Sequence, residues 1–213
     1  MITDERFVAY INSLDAGNPA YLDELEAYAI QTQVPIIRKE MQSFMRTMLL
    51  MNKPKRILEV GTAIGFSALL MSEFMPQDGH ITTIENYEKR IPIARANFQK
   101  YGKEDRITLL EGDAAEVLKT LEGPYDFIFM DAAKGQYIHY LPQIMRILTP
   151  GGVLISDKVM KDGDIIESKY AVTRRDRTIH RRMREYLYTL THHEELKTSI
   201  LTLGDGVAVS VRK

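Results

Sequence analysis

The chain of 213 residues contains no cysteine. Without thiols there are no disulfides, no thiolate nucleophile and no cysteine-held zinc, a composition compatible with a reducing cytosol. No apolar run approaches the roughly 18 residues of a membrane span, and the N-terminus lacks a basic-then-apolar leader. A cytoplasmic protein with no membrane partner is therefore the expectation. Internal repeats and low-complexity tracts are also missing. The formal charge of −1 excludes a polycation, although it leaves room for local basic patches. Nothing divides the chain into two, and its length suffices for one large α/β domain with a full core.

The most informative stretch is Arg56-Ile57-Leu58-Glu59-Val60-Gly61-Thr62-Ala63-Ile64-Gly65-Phe66-Ser67. It reads as a short apolar strand, a glycine turn and the start of a helix, with Gly61 and Gly65 letting the backbone bend and a ligand approach main-chain N–H groups. The spacing G-x-x-x-G differs from the dinucleotide fingerprint G-x-G-x-x-G. Glu59 beside the turn would repel a pyrophosphate but attract the amino group of an amino-acid-like ligand. Twenty residues beyond Gly65, the strand Ile81-Thr82-Thr83-Ile84 ends in Glu85, placed to accept the two hydroxyls of a ribose. Adenosine with a charged amino-acid tail satisfies both acids, and S-adenosylmethionine is such a molecule.

The N-terminal region predicts three helices. The first carries Phe7, Ile11 and Leu14 on one face, with Thr3 or Asp4 as its cap; the second runs from an Asn18-Pro19 cap to about Gln31. The third spans about Arg38 to Met51, with Met41, Phe44, Met45, Met48 and Leu49 at helical spacing. Such a stripe belongs in a core or a subunit interface. Residues 1–52 thus read as a helical cap and 53–213 as the main part of a single domain. From Lys55 onward strands are expected near 56–60, 80–85, 106–110, 125–130 and 151–156, with helices near 66–74, 87–101, 113–121 and 136–147. That alternation implies a parallel sheet with helices on both faces and ligands beyond the carboxyl ends of the strands. There stand Asp113, able to cap a helix and to reach an adenine amino group, Asp131 after the fourth strand and Asp157 after the fifth. Two carboxylates converging at strand ends could hold a hard divalent cation.

Asp131-Ala132-Ala133-Lys134, followed by Tyr137, together with the Glu-Val-Gly-Thr turn and Ser156-Asp157, resembles the cation-dependent O-methyltransferases of the catechol and caffeoyl-CoA type. The likeness covers nearly the whole chain. It implies a Rossmann-like, doubly wound, mostly parallel sheet of seven strands, the last two near 194–202 and 206–212 forming a hairpin. It also implies S-adenosylmethionine contacts from the Val34 to Ile37 linker (Ile36 among them), Glu59, Gly61, Ala63, Ser67, Glu85, Asp113, Ala114 and Asp131, and a homodimer formed through the N-terminal helices. Magnesium would sit on Asp131 and Asp157, and Lys134 would assist deprotonation of the acceptor hydroxyl. The family usually places an asparagine directly after the second aspartate; this sequence has Lys158. A protonated amine has no lone pair for a metal. Either Lys158 swings aside and waters complete a magnesium shell, or its ammonium replaces the metal.

Residues 173 to 184 hold six arginines against one acid. On a helix Arg174, Arg177, Arg181 and Arg184 would share a face opposite Ile179, Met183, Tyr186, Leu187 and Leu190, some arginines pairing with Glu167, Asp176 or Glu185. With Arg175 they suggest a phosphate backbone as partner. The segment resembles the bacterial tRNA 5-hydroxyuridine methyltransferases, a branch of the same family. The expected reaction is 5-methoxyuridine formation at the wobble position, with the tRNA anticodon stem-loop as partner and Tyr137, Tyr140 and Tyr170 available for stacking on bases. The alternatives are a small-molecule catechol or caffeoyl-CoA type enzyme and a noncatalytic RNA-binding module.

Overall fold

The computed structural model describes residues 3–213; of Asp162 only the backbone is described. Seven strands form one mostly parallel sheet in the order β3-β2-β1-β4-β5-β7-β6, the α/β architecture expected. Contacts group the described chain into residues 5–113 and, with Thr3 and Asp4, 114–213.

In the first group, three helices, α1 (Glu5–Ser13), α2 (Ala20–Gln31) and α3 (Lys39–Asn52), precede β1 (Arg56–Val60), α4 (Phe66–Phe74), β2 (His80–Glu85), α5 (Ile91–Lys100) and β3 (Ile107–Glu111). The strands are parallel, with Val60 opposite Ile84 and Glu85 opposite Glu111, so Glu85 ends its strand level with the glycine turn. Met41, Met45 and Leu49 of the methionine stripe are buried within the chain, while Phe44 and Met48 are half-buried. In α1 no residue is buried, and Phe7, Ile11 and Leu14 are exposed.

Two local expectations need correcting. Asn18 does not cap α2: its amide donates to Gln42 Oε1 at 2.7 Å and its oxygen accepts from Arg46, leaving Pro19 at the cap position with no side-chain cap. Helix α5 starts at Ile91 rather than near 87, with a proline in its first turn. The N–H groups of Asn86 and Tyr87 donate to the Glu85 carboxylate instead, at 3.0 and 2.9 Å, which holds residues 86–90 in a turn.

Glu73, at the end of α4, is clamped by Tyr21 Oη at 2.5 Å and Lys103 Nζ at 2.8 Å. Burial, the largest influence, pushes its carboxyl up, but the Lys103 and Tyr21 hydrogen bonds and the charges of Lys103 and Arg106 outweigh it and leave the group below its ordinary range. A depressed folded-state value stabilises above the unfolded carboxyl's range and is lost as pH falls through the folded-state value. Glu73→Gln is therefore expected to lower urea stability near neutrality and to shrink the loss on acidification to about pH 3. An acid limb as steep as the parent's would refute that assignment.

The second group holds α6 (Ala114–Thr120), β4 (Tyr125–Met130), α7 (Tyr137–Ile147), β5 (Leu148–Ser156), α8 (Arg177–His192), β6 (Leu196–Leu201) and β7 (Val207–Arg212), with short 3-10 turns at Lys134–Gln136 and Lys161–Ile166. Strands β4 and β5 are parallel with Met130 opposite Ser156, which brings the residues following them, Asp131 and Asp157, to the same end. The last two strands form the antiparallel hairpin, Leu201 opposite Val207. Strand β5 begins three residues earlier than expected, at Leu148, and runs through Pro150.

Candidate active site

The turn after β1 is built on three left-handed residues, Gly61, Ala63 and Gly65, at φ +96°, +50° and +87°. Gly61 N–H donates to Ile84 O at 3.0 Å and Gly65 N–H to Thr62 O at 2.8 Å, closing the turn on itself and on β2. Glu85 completes it by accepting from Ala63 N–H at 2.8 Å on one oxygen, while its other oxygen takes the two N–H groups that follow it. The oxygen that accepts from Ala63 keeps a second acceptor direction, whereas the other already takes two donors. Glu59 is fully buried, and its oxygens accept from Ser67 Oγ and Thr83 Oγ1, both at 2.5 Å. It thereby ties β1, β2 and the first turn of α4 together, and Ser67 is the more accessible partner. The Thr62 hydroxyl, 2 % exposed, has no hydrogen-bond partner among the described residues. A buried hydroxyl left unsatisfied costs about 1–3 kcal/mol and suits a turn that receives a polar ligand. Of the remaining expected donor contacts, Ile36 is half-buried and Asp113 exposed. The turn therefore fits an adenosine-type ligand bearing an amino-acid tail.

In residues 114–213, Ala114 opens α6 and is buried. Asp131, Asp157, Lys158 and Lys134 gather at the ends of β4 and β5. Lys158 Nζ lies 2.5 Å from Asp131 Oδ2 and 3.8 Å from Asp157 Oδ2. The Lys158 N–H donates to Asp157 Oδ1 at 2.8 Å from a left-handed backbone, φ +57°. Burial first, then the Asp131 charge, raises the Asp157 carboxyl to about 7, against the opposing pull of Lys158 and Lys134. Tyr137 underpins the cluster. Its hydroxyl accepts from Ala132 N–H and faces Met130 O and Asp157 O, all at 3.2 Å, so one phenol spans both strand ends. Burial, then Asp131 and Asp157, hold that phenol well above its ordinary value, and it stays a donor. The Tyr186 ring meets it edge-on at 5.5 Å, and Tyr186 Oη bonds Ser156 Oγ at 2.6 Å.

Magnesium does not fit this donor set as it stands. The ion wants six oxygen ligands near 2.1 Å. Here the two aspartates already share an ammonium, and no group of three metal-ligating side chains occurs among the described residues. At an effective dielectric near 20, unit charges 4 Å apart repel by about 4 kcal/mol, and a divalent ion beside Lys158 by about twice that.

The arginine row differs from expectation. Helix α8 begins at Arg177, so Arg174 lies in the preceding turn, beside Arg175, rather than on the helical face. The turn is fastened by Asp176, which accepts from Thr173 Oγ1 at 2.6 Å and pairs with Lys161 at 3.1 Å. None of these arginines lies within ion-pair distance of Glu167, Asp176 or Glu185 among the described residues, although, after the Thr173 and Lys161 hydrogen bonds, the Arg175 charge helps hold the Asp176 carboxyl low. Arg177, Arg181 and Arg184 instead line a cavity of about 510 Å³ with Lys169, His180 and Glu167. Arg182 turns inward and donates to Gly135 O at 3.1 Å. Of the helix's apolar set, Met183, Tyr186 and Leu190 are buried while Ile179 and Leu187 are only half-buried. His180, missed in the sequence, takes a buried place and bonds Glu167 O at 3.0 Å. Tyr137 and Tyr140 are buried in α7 and cannot stack on a base; Tyr170 is exposed. Thr83 and Thr62 were also missed, since nothing in sequence separates a strand threonine or a turn threonine from its neighbours.

Comparison with known proteins gives a consistent picture. The family described as O-methyltransferase matches residues 12–213. A catechol O-methyltransferase of Mycobacterium tuberculosis is 30% identical over 161 residues, 74% of this chain and 73% of that protein. A caffeoyl-CoA O-methyltransferase of Populus kitakamiensis is 29% identical over 175 residues, 79% and 74% of the two chains. The crystal structure of the SAH-bound methyltransferase PaMTH1 of Podospora anserina superposes with a TM-score of 0.88 at 31% identity, covering 98% of this chain and 94% of that one.

Proposed function

Since this chain belongs to the O-methyltransferase family, we propose that it transfers the methyl group of S-adenosylmethionine to the hydroxyl of 5-hydroxyuridine at the wobble position of tRNA. The methyl donor and the transfer to oxygen follow from the family and from the SAH-bound relative. The acceptor rests on one observation: Arg177 and Arg181, without carboxylate partners among the described residues, share a cavity with Lys169, Glu167 and Arg184, the last also donating to Ile165 O at 3.0 Å, and Arg174 and Arg175 extend the basic surface. A phosphate backbone satisfies guanidinium groups in that arrangement.

When bound, the donor supplies an electrophilic methyl on a sulfonium. The residues of this chain divide the remaining tasks. Glu85 takes the ribose hydroxyls, and Glu59, acting through Ser67, favours the cationic amino group. Asp131 and Asp157 hold the Lys158 ammonium, which would donate to the acceptor oxygens; Lys134, as the neutral amine, would take the hydroxyl proton while the methyl passes in line from sulfur to oxygen, the carbon–sulfur bond breaking and S-adenosylhomocysteine leaving as the neutral thioether.

A second reading is favoured by the relatives' names: catechol and caffeoyl-CoA present the same pair of neighbouring oxygens as 5-hydroxyuridine with its carbonyl. Assays with S-adenosylmethionine and either tRNA from a strain lacking this protein, catechol or caffeoyl-CoA, read by mass spectrometry, separate the two. We expect 5-methoxyuridine, and Arg177→Ala with Arg181→Ala to raise the KM for tRNA about tenfold or more while donor affinity holds, as loss of two phosphate contacts implies. Unchanged tRNA kinetics beside brisk turnover of a phenol would establish the small-molecule reading. Binding of tRNA with no methyl transfer to any acceptor would point instead to a noncatalytic RNA-binding module. Homodimerisation through the exposed apolar face of α1 belongs with this proposal, its measure being mass in solution by light scattering.

A further inference from the structure

The residue after Asp157 is held in place from three directions. Its backbone N–H is fixed on Asp157 Oδ1 at 2.8 Å, and its ammonium is 2.5 Å from Asp131 Oδ2 and 3.8 Å from Asp157 Oδ2. The side chain is only 22% exposed and that of Asp157 only 5%, so this is no screened surface pair. A carboxylate so buried requires a counter-charge. The other lysine of that loop, Lys161, is committed elsewhere, to Asp164 at 3.0 Å and Asp176 at 3.1 Å. The left-handed backbone at φ +57°, which lysine rarely adopts, indicates that the surroundings over-determine this position.

We infer that the Lys158 ammonium takes the place of a divalent cation between Asp131 and Asp157, presenting its remaining N–H to the acceptor's oxygen pair, and that the chain works without a metal. An ammonium has three donors, and the two aspartates engage at most two of them in this geometry. A single charge acidifies a neighbouring hydroxyl less than a divalent ion does, so the site suits an acceptor that is already acidic. The catalytic part of this inference rests on methyl transfer to oxygen as proposed above; the metal-binding part does not.

The test is Mn²⁺ binding to the full chain, followed by calorimetry and by the electron paramagnetic resonance of the free ion. The unaltered protein is expected to bind no Mn²⁺ at a site that depends on Asp131. Lys158→Asn, which replaces an ammonium by an oxygen donor, is expected to bind it at least about tenfold more tightly, as removal of a like charge beside the ion implies. Asparagine and glycine tolerate the left-handed backbone, so Lys158→Asn and Lys158→Gly should retain the fold, as circular dichroism will show. Mn²⁺ binding by the unaltered chain that is lost in Asp131→Asn would overturn the inference. So would folded Lys158→Asn and Lys158→Gly chains that gain no affinity for the ion. Should methyl transfer prove absent from every acceptor, these binding results would still decide the metal question. If transfer is present, it should survive chelation by EDTA; activity lost to EDTA and restored by Mg²⁺ counts against the inference.

Discussion

Glu85→Ala is expected to weaken binding of S-adenosylmethionine at least about 100-fold, or about 2.8 kcal/mol at 1.4 kcal/mol per decade, measured by calorimetry. The side chain carries two loads. Its oxygens hold three backbone N–H groups, those of Ala63, Asn86 and Tyr87, and in the functional reading they also accept the ribose hydroxyls. Hydrogen bonds to a charged group contribute about 1.5–3 kcal/mol each, so losing the ligand's share alone accounts for much of the effect. The rest comes from the turn: without its acceptor, Ala63 has less to hold it at φ +50°. Glu85→Gln should be nearly as damaging, since donors approach both oxygens and an amide must turn its NH₂ toward one set of them. Affinity within threefold of the parent for both variants would remove Glu85 from the donor site.

Tyr137→Ala carries the largest expected cost in stability, about 3–5 kcal/mol, the range for emptying the space of a buried aromatic side chain. The ring is fully buried against Tyr186. Tyr137→Phe separates packing from polarity. It keeps the ring, leaves the Ala132 N–H and the carbonyls of Met130 and Asp157 without the phenol, and should cost about 1–3 kcal/mol. Urea unfolding measures both. The more telling result is in turnover: because the phenol spans the strand ends that carry Asp131 and Asp157, the phenylalanine variant should lose more in kcat than in donor affinity. A phenylalanine variant with the parent's stability and kcat would show that the phenol organises nothing.

The fold was legible in this sequence because alternating apolar strands and amphipathic helices leave a periodic trace, and because glycines at 61 and 65 mark a turn that few other residues could make. Glu85 was legible for a similar reason, as an acid at a strand end at a fixed distance from the turn. What escaped reading was side-chain direction. The sequence offered Glu59 as a direct partner for a ligand's ammonium, yet burial turns it onto two hydroxyls, one of them on a strand 24 residues away. Tyr137 and Tyr140 are expected from the sequence to reach bases, yet both lie on the buried side of the helix, and the span 136–147 does not reveal which way they point. The arginines looked like one helical face because spacing does not reveal that Asp176, gripped by Lys161, delays the start of the helix to Arg177. Lys158 stood out only as a departure from a motif; that its ammonium lies between two carboxylates is a three-dimensional fact.

Helix α8 turns Arg181 outward and Arg182 inward, the latter holding the carbonyl of Gly135, next to Lys134. One helix thus governs both the outward basic surface and the posture of the turn that carries Lys134. A one-residue insertion in its first half would rotate both together, by about 100° at 3.6 residues per turn. Insertions and deletions in that helix therefore cannot alter the basic surface without also moving the turn beside Lys134; a change confined to the surface has to come from replacing side chains in place.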